Sequence, residues 1–411
     1  MRADLHAAVC DLLAGRAQRF VGIDAQNHYE PLTFTALLQT GNRAKAIAPV
    51  THEEVDTGED APVSCPANGL WLIEENTLRM AILVARNHGF RGESCIRVEI
   101  AVPQGEAGNR SVEAKFNVLA AAVAAARSYR GKVLSFESND NYSGKSSGVM
   151  VHRLPKVQRS EVILPAATLR LLERNILDFA RNRGKLKRLG LSAKKGILLY
   201  GPPGTGKTHT IRYLAGALPG HTTLLITSEQ AGLIGEYFTL ARLLQPSLMV
   251  IEDADLIARA RENMGSACEE VLLNKLLNEM DGLKEDADIF FILTTNRPEQ
   301  LEGALTGRPG RIDQAIEVPL PDKTGRAKLV RLYARGLKIG KDVVTEIVNR
   351  TEGVSAAFIK ELMRRVAQSS MERGSDGVVV LEDIDSALQD MLFRGGRLNA
   401  SLLGASAVAS G

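Results

Sequence analysis

The chain is short of several things, and each shortage removes a class of protein. Its 411 residues hold only four cysteines, Cys10, Cys65, Cys95 and Cys268, widely separated and without a C-x-x-C pair. That spacing offers neither a zinc site nor a disulfide framework, and it fits reduced thiols in a cytoplasm. Aromatic residues are 5% of the chain, with a single tryptophan, and no stretch interleaves them with basic side chains. With a formal net charge of +3, nothing in the composition indicates nucleic acid as a partner. No run of about eighteen apolar residues occurs, so no membrane partner is expected. The stretch after Met1 is amphipathic and broken by Asp11 and Arg16, which is not the apolar core of a signal peptide. No internal repeat is found, which argues against a solenoid. What remains is ordinary for a globular protein, 45% hydrophobic and 24% charged, with length for roughly two or three domains.

Three segments and a tail are expected along the chain. Residues 1–155 carry a strand pattern at Cys95–Val102, where apolar and charged residues alternate, with further strands at Trp71–Ile73 and Lys132–Phe136. An alanine-rich helix is expected over Val112–Arg127, and loops over His52–Pro66 and Asn139–Ser147. This segment reads as an α+β module that recognises a partner. Residues 156–321 alternate short apolar runs with helical stretches, the mark of a parallel sheet with crossover helices. Its strands are expected at Ile197–Tyr200, Thr223–Ile226, Leu248–Ile251, Ile289–Leu293 and Gln314–Glu317. Residues 322–396 show helical periodicity at Thr324–Gly336, Val343–Arg350, Ala356–Arg373 and Leu381–Leu392, which makes a small helical bundle. Residues 397–411 are expected to form a flexible tail.

The most informative string is Gly201-Pro202-Pro203-Gly204-Thr205-Gly206-Lys207-Thr208, which fits the phosphate-binding loop G-x-x-x-x-G-K-[ST]. The apolar run Ile197–Tyr200 feeds it and a helical stretch beginning at His209 follows. Glycines let successive N–H groups point at one phosphate, and the helix N-terminus adds its positive end. Lys207 would reach the β- and γ-phosphates of ATP, and Thr208 would hold Mg²⁺ through its hydroxyl. Ser143-Gly144-Lys145-Ser146 resembles the end of such a loop, but it lacks the leading glycine and a strand, and reads as a solvated loop.

Three further strings follow in order. The third strand ends in Glu252-Asp253, at the carboxyl edge where parallel sheets bind ligands. By position Glu252 takes the metal-supporting role, and Asp253 orients or deprotonates the attacking water. The fourth strand ends in Thr294-Thr295-Asn296-Arg297-Pro298, where Asn296 can hydrogen-bond both the γ-phosphate and that water. Arg308-Pro309-Gly310-Arg311 then sets two arginines three apart on a rigid turn, suited to gripping a phosphate, in trans if they cannot fold back.

Together these strings resemble the AAA family of ATPases. Ile251–Asp255, Asn274–Leu283, Thr295–Pro298, Arg308–Asp313 and Thr351–Ser355 extend the match, which covers about Ile163 to Leu392. The resemblance implies an α/β P-loop NTPase core with a C-terminal helical lid, a ring that is usually a hexamer, and hydrolysis of ATP with Mg²⁺ coupled to remodelling of a protein partner. It also implies that His209 belongs with the loop at the nucleotide and that Ile163-Leu164 contacts adenine. The departures matter. The family usually ends its third strand Asp-Glu, and the inverted Glu252-Asp253 is similar to the AAA subfamily that assembles Rieske iron–sulfur proteins. Asp is one methylene shorter than Glu, so slow hydrolysis is expected. Members that thread polypeptide have an aromatic residue before a Gly-Glu pair, whereas here Leu233 holds that place in Gly232-Leu233-Ile234-Gly235-Glu236. Leucine cannot stack on an extended chain. Ser355-Ala356-Ala357-Phe358 replaces the lid's usual Ser-Gly-Ala-Asp, leaving Ala356 to approach the nucleotide and Phe358 to enter the lid core. An ATP-hydrolysing remodeller is the leading expectation, and an ATP-dependent assembly switch with little turnover is the alternative. A processive unfoldase feeding a protease is least favoured, because the chain has no His-Glu-x-x-His string of its own and no obvious protease-docking motif in its last residues.

Overall fold

The computed structural model describes residues 2–24, 31–39, 45–75, 78–88, 94–136, 148–259, 270–284, 286–301, 312–375 and 377–391. Two compact units emerge. One comprises Met1–Arg153 together with Glu236–Gln245, the other Leu154–Gly235 together with Pro246–Gly411.

The first unit is built on an antiparallel sheet of order β2-β1-β5-β6-β7, from β1 (Ala17–Asp24), β2 (Ala46–Ala48), β5 (Asn68–Glu75), β6 (Leu78–His88) and β7 (Ser94–Ala101). The alternation in β7 turns Val98 and Ile100 towards a core shared with Trp71, Ile73, Met80 and Ile82. Helices α1 (Arg2–Leu13) and α3 (Glu106–Ala125) close that core with Val9, Leu13 and Leu119. The short helix α2 (Phe34–Leu37) and Leu32 pack with Ile23, Leu83 and Ala85 in a second cluster.

The loop expected over His52–Pro66 is instead a hairpin, β3 (His52–Val55) paired with β4 (Val63–Pro66) in the register His52↔Pro66 to Val55↔Val63. Its strands are only four residues long, and the turn between them carries the Asp and Gly that dominate the local composition. Long-range contacts hold it: Arg2 and Arg86 both donate to the Glu53 carboxylate, and Cys65 is buried. A second hairpin joins β8 (Val133–Phe136) and β9 (Val149–His152). The loop expected at Asn139–Ser147 and the tail lie largely or wholly outside the described residues.

The segment 236–245 joins this unit through most of α7 (Ile234–Leu243). Tyr237 is fully buried; its hydroxyl accepts the Phe136 N–H at 2.9 Å, and the two rings meet edge to face at 4.6 Å. Arg130 donates to Ala125 O at 2.6 Å and Ala124 O at 3.1 Å on the last turn of α3, to Leu243 O at 2.8 Å, and to Gln245 O. One guanidinium thus satisfies carbonyls at two helix ends, which lack intrahelical partners.

The second unit holds a parallel sheet in the order β14-β10-β13-β12-β11, with β10 (Lys195–Tyr200), β11 (Thr222–Ile226), β12 (Ser247–Ile251), β13 (Ile289–Thr295) and β14 (Gln314–Glu317). Every residue of β12 and β13 is buried, as expected for strands covered on both faces. Helices α4 (Ala166–Glu173), α5 (Phe179–Arg188) and α6 (Lys207–Gly216) pack Leu169, Leu172, Ala180, Ile211 and Leu214 against Ile197, Leu199, Leu248, Val250, Phe290 and Ile292. Helices α8 (Ala254–Arg259) and α9 (Glu270–Asp281) follow the third strand.

The lid belongs to the same unit. It consists of α10 (Lys323–Tyr333), α11 (Lys341–Arg350), α12 (Ala356–Glu372) and α13 (Leu381–Gln389), with a two-stranded parallel pair, β15 (Lys338–Ile339) and β16 (Val378–Val379). Its core is Leu329, Val330, Ile347, Val354, Phe358, Ile359, Leu362, Val366 and Ile384. Asp322 caps α10 through the Gly325 N–H at 2.6 Å, and Ser355 caps α12 through the Phe358 N–H at 3.2 Å.

Candidate active site

The loop Gly201–Thr208 runs from the end of β10 into α6 through three left-handed glycines, Gly201 (φ 143°), Gly204 (φ 74°) and Gly206 (φ 100°). A side chain at Gly201 would place Cβ 2.3 Å from the Val318 carbonyl oxygen, so only glycine lets the loop leave the sheet there. Thr205 donates to Pro202 O at 2.9 Å, which tightens the curl. Thr208 and His209 are exposed on the first turn of α6.

Lys207 is buried, and its ammonium donates to Gly201 O at 2.8 Å, Pro202 O at 3.0 Å and Asn296 Oδ1 at 2.7 Å. Burial pushes this ammonium down from 10.5 to about 8, while the Asp253 and Asp255 carboxylates pull the other way. Asn296 in turn donates from Nδ2 to Asp253 Oδ1 at 3.3 Å. An ammonium, a carboxamide and a carboxylate therefore stand in series across the ends of α6, β13 and β12. Glu252 follows β12 directly and its N–H donates to Ile226 O at 3.0 Å. Four of the residues singled out by sequence, Lys207, Glu252, Asp253 and Asn296, thus come to one sheet edge. Arg308 and Arg311 lie outside the described residues, as does Ser143–Ser146.

Asp255 and Thr294 carry more than their motifs announced. Asp255 is buried; its Oδ1 accepts the Thr295 hydroxyl at 2.8 Å and the Asn296 N–H at 3.3 Å. It fixes the backbone that presents Asn296. The hydroxyl of Thr294 accepts the Asp253 N–H at 3.0 Å. A third acid two places after Asp253, facing a Thr-Thr-Asn string, is the sequence signal for this network. The lid also touches the loop. The Ala357 N–H donates to Gly204 O at 3.0 Å, and a Cβ on Gly204 would lie 2.9 Å from Ser355 Oγ and 3.0 Å from Ala357 Cβ. This contact falls on Ser355 and Ala357, the cap and second residue of α12. Phe358 is buried in the lid core.

Ile163 and Leu164 line a cavity of about 500 Å³ with Leu332 of the lid, rimmed by Arg159, Arg170, Lys328, Arg331 and Arg335. The position where threading members carry an aromatic is closed. Leu233 ends a three-ten turn, Ser228–Leu233, that packs against α8, and it is buried. Tyr237 and Phe238, the nearest aromatics, are fully buried.

The residues fit a magnesium–triphosphate ligand. The glycine cradle admits no Cβ at Gly201, the Lys207 ammonium is buried beside it, and Thr208 and Glu252 would supply oxygen donors to the ion. Among the described residues no group of three or more His, Cys, Asp or Glu is placed to hold a metal ion.

A glycine loop entering a helix, a buried lysine and strand-end carboxylates on a parallel sheet define a P-loop nucleoside triphosphatase. Residues 197–320 match the profile of the ATPase family associated with various cellular activities (AAA). Residues 197–320 thus form a domain of that AAA family. The chain is 33% identical over 262 residues to an ATP-dependent zinc metalloprotease FtsH of Acaryochloris marina, covering 60% of this chain and 38% of that protein. It is 35% identical over 223 residues to the chloroplastic ATP-dependent zinc metalloprotease FTSH 6 of Arabidopsis thaliana, covering 51% and 32%. A proteasome-activating nucleotidase of Methanosphaerula palustris is 35% identical over 215 residues, covering 49% and 52%. The chain thus spans between a third and about half of these relatives' lengths. Among the described residues no helix is long and apolar enough to cross a membrane.

Proposed function

We propose that the chain binds ATP at Gly201–His209 and hydrolyses it within a ring of identical subunits, using the cycle to remodel a protein partner recognised by the first unit. The observation that carries this reading is the series Lys207–Asn296–Asp253, which joins the phosphate loop to two strand ends. In it Lys207 neutralises the β- and γ-phosphates, and Asn296 exchanges its lysine contact for the γ-phosphate while keeping hold of Asp253. Asp253 orients the water and takes its proton. Thr208 and Glu252 would hold Mg²⁺, which supplies charge neutralisation of the phosphates when bound. The base is assigned to the cavity beside Ile163 and Leu332, whose apolar floor suits an aromatic ring. Arg308 and Arg311 are assigned to a neighbouring subunit's phosphate, in a hexamer by family resemblance, with a cytoplasmic location. Relatives named as an ATP-dependent metalloprotease and a proteasome-activating nucleotidase support a protein as the partner.

The test is turnover. Lys207→Ala should abolish Mg²⁺-dependent ATP hydrolysis, and undiminished turnover would remove the loop assignment. Mixing Arg311→Ala with Lys207→Ala subunits should restore part of the activity; rings proven to be mixed yet inactive would count against action in trans.

A second reading, an assembly switch with little turnover, is favoured by the burial of Leu233, Tyr237 and Phe238, which leaves none of them to grip an extended chain. On that reading Asp253→Asn holds the ATP-bound assembly. Identical assembly masses with ATP, ADP and no nucleotide would rule it out.

A further inference from the structure

We propose that Thr294 is a positioning residue for hydrolysis: its hydroxyl holds the Asp253 amide and so fixes the backbone turn that brings this short carboxylate to Asn296. The proposal rests on the reading of Asp253 as the group that orients the water.

Strands β12 and β13 pair in parallel up to Ile251↔Leu293. Beyond that rung, the Glu252 N–H goes to the other neighbour, at Ile226 O, 3.0 Å away. The next amide, that of Asp253, is bonded by the side chain of Thr294 at 3.0 Å. A hydroxyl thus supplies one more rung in place of a carbonyl and leaves the backbone free to turn. Asp253 uses that freedom. Its φ is +49°, and only Ala126 shares a positive φ among the described non-glycine residues. Immediately afterwards α8 begins at Ala254, and the Leu256 N–H closes the turn on Asp253 O at 2.8 Å.

The left-handed turn sets where this short carboxylate goes. Turned as it is, Asp253 Oδ1 stands 3.3 Å from Asn296 Nδ2, and Asn296 stands 2.7 Å from the Lys207 ammonium. Strained backbone of this kind persists where surrounding groups hold it. Thr294 is buried, so its hydroxyl is not in exchange with solvent, and removing it strands a donor next to the reacting groups.

Thr294→Val keeps shape and removes the acceptor. Steady-state hydrolysis should show kcat falling on the order of tenfold, with KM and the affinity for a fluorescent ATP analogue within about twofold of the parent. Thr294→Ser should restore kcat, and Thr294→Val should add little to the loss in Asp253→Asn. A merely structural role would move affinity and melting temperature with kcat and would not be rescued by serine. Should the valine variant melt early, the Thr294→Ala and Thr294→Ser pair repeats the comparison of hydroxyl absent with hydroxyl present. Parental kcat in Thr294→Val and Thr294→Ala, or equal losses in the serine and alanine variants, overturns the proposal. Parental turnover in Asp253→Asn is a different result, because it removes the reading of Asp253 itself.

Discussion

Making the solution alkaline should loosen nucleotide binding, and Lys207 sets where and by how much. Burial holds its ammonium at about 8, against the usual 10.5, with Asp253 and Asp255 opposing the fall. A triphosphate brought against the ammonium favours the charged form, so the bound state has the higher pKa and binding takes up a proton above pH 8. Affinity should therefore be level below about pH 7.5 and fall as the pH rises through 8. At pH 9 about nine-tenths of the free protein carries a neutral amine, which lowers affinity roughly tenfold, or about 1.4 kcal/mol. Calorimetric titration with ATP and Mg²⁺ in several buffers reads both the affinity and the proton uptake. Arginine does not titrate in this range, so Lys207→Arg should bind more weakly yet evenly across pH. Asp253→Asn removes a charge that holds the pKa up and should move the fall to lower pH. A level affinity to pH 9.5 in the parent, or the same slope in Lys207→Arg, would refute the reasoning.

The remaining expectations are local. Asp255→Ala deprives the Thr295 hydroxyl and the Asn296 amide of their buried acceptor, and should lower kcat more than tenfold and destabilise by roughly 2–3 kcal/mol in chemical denaturation. Phe358→Ala empties the centre of the lid core and should cost about 3–5 kcal/mol, read as an early melting step with weakened ATP binding. Tyr237→Phe leaves the Phe136 N–H without that acceptor and should cost about 1–2 kcal/mol while leaving hydrolysis by the second unit within about twofold.

The second unit was legible because its strands are continuous apolar runs. Ser247–Ile251 and Ile289–Thr295 are buried at every position, and such runs need no partner in the sequence to be recognised. The lid helices were legible from periodicity, with Lys341–Arg350 and Ala356–Glu372 close to their expected bounds. The first unit was less so. The hairpin His52–Val55 with Val63–Pro66 depends on Arg2 and Arg86 reaching Glu53 from 51 and 33 residues away. No local pattern records such distances. At the site, the residue types were visible but not their conformation. Nothing in Glu252-Asp253 announces a positive φ, since aspartate tolerates both hands of the backbone. The assignment of α7 to the first unit was hidden for the same reason as the hairpin: Tyr237 is claimed by Phe136 and Leu243 by Arg130, both more than a hundred residues earlier.

That splice bears on how the protein can be dissected. Cutting after Arg153 would strip Phe136 and Arg130 from 236–245, and would leave the ATPase half carrying a helix whose Tyr237 and Phe238 had been core. Such a fragment should be sticky and prone to clumping, and its loss of turnover would say nothing about regulation by the missing half. A fair isolated module would carry 236–245 grafted through a linker, and the matching ATPase fragment would need those ten positions bridged by a short polar turn.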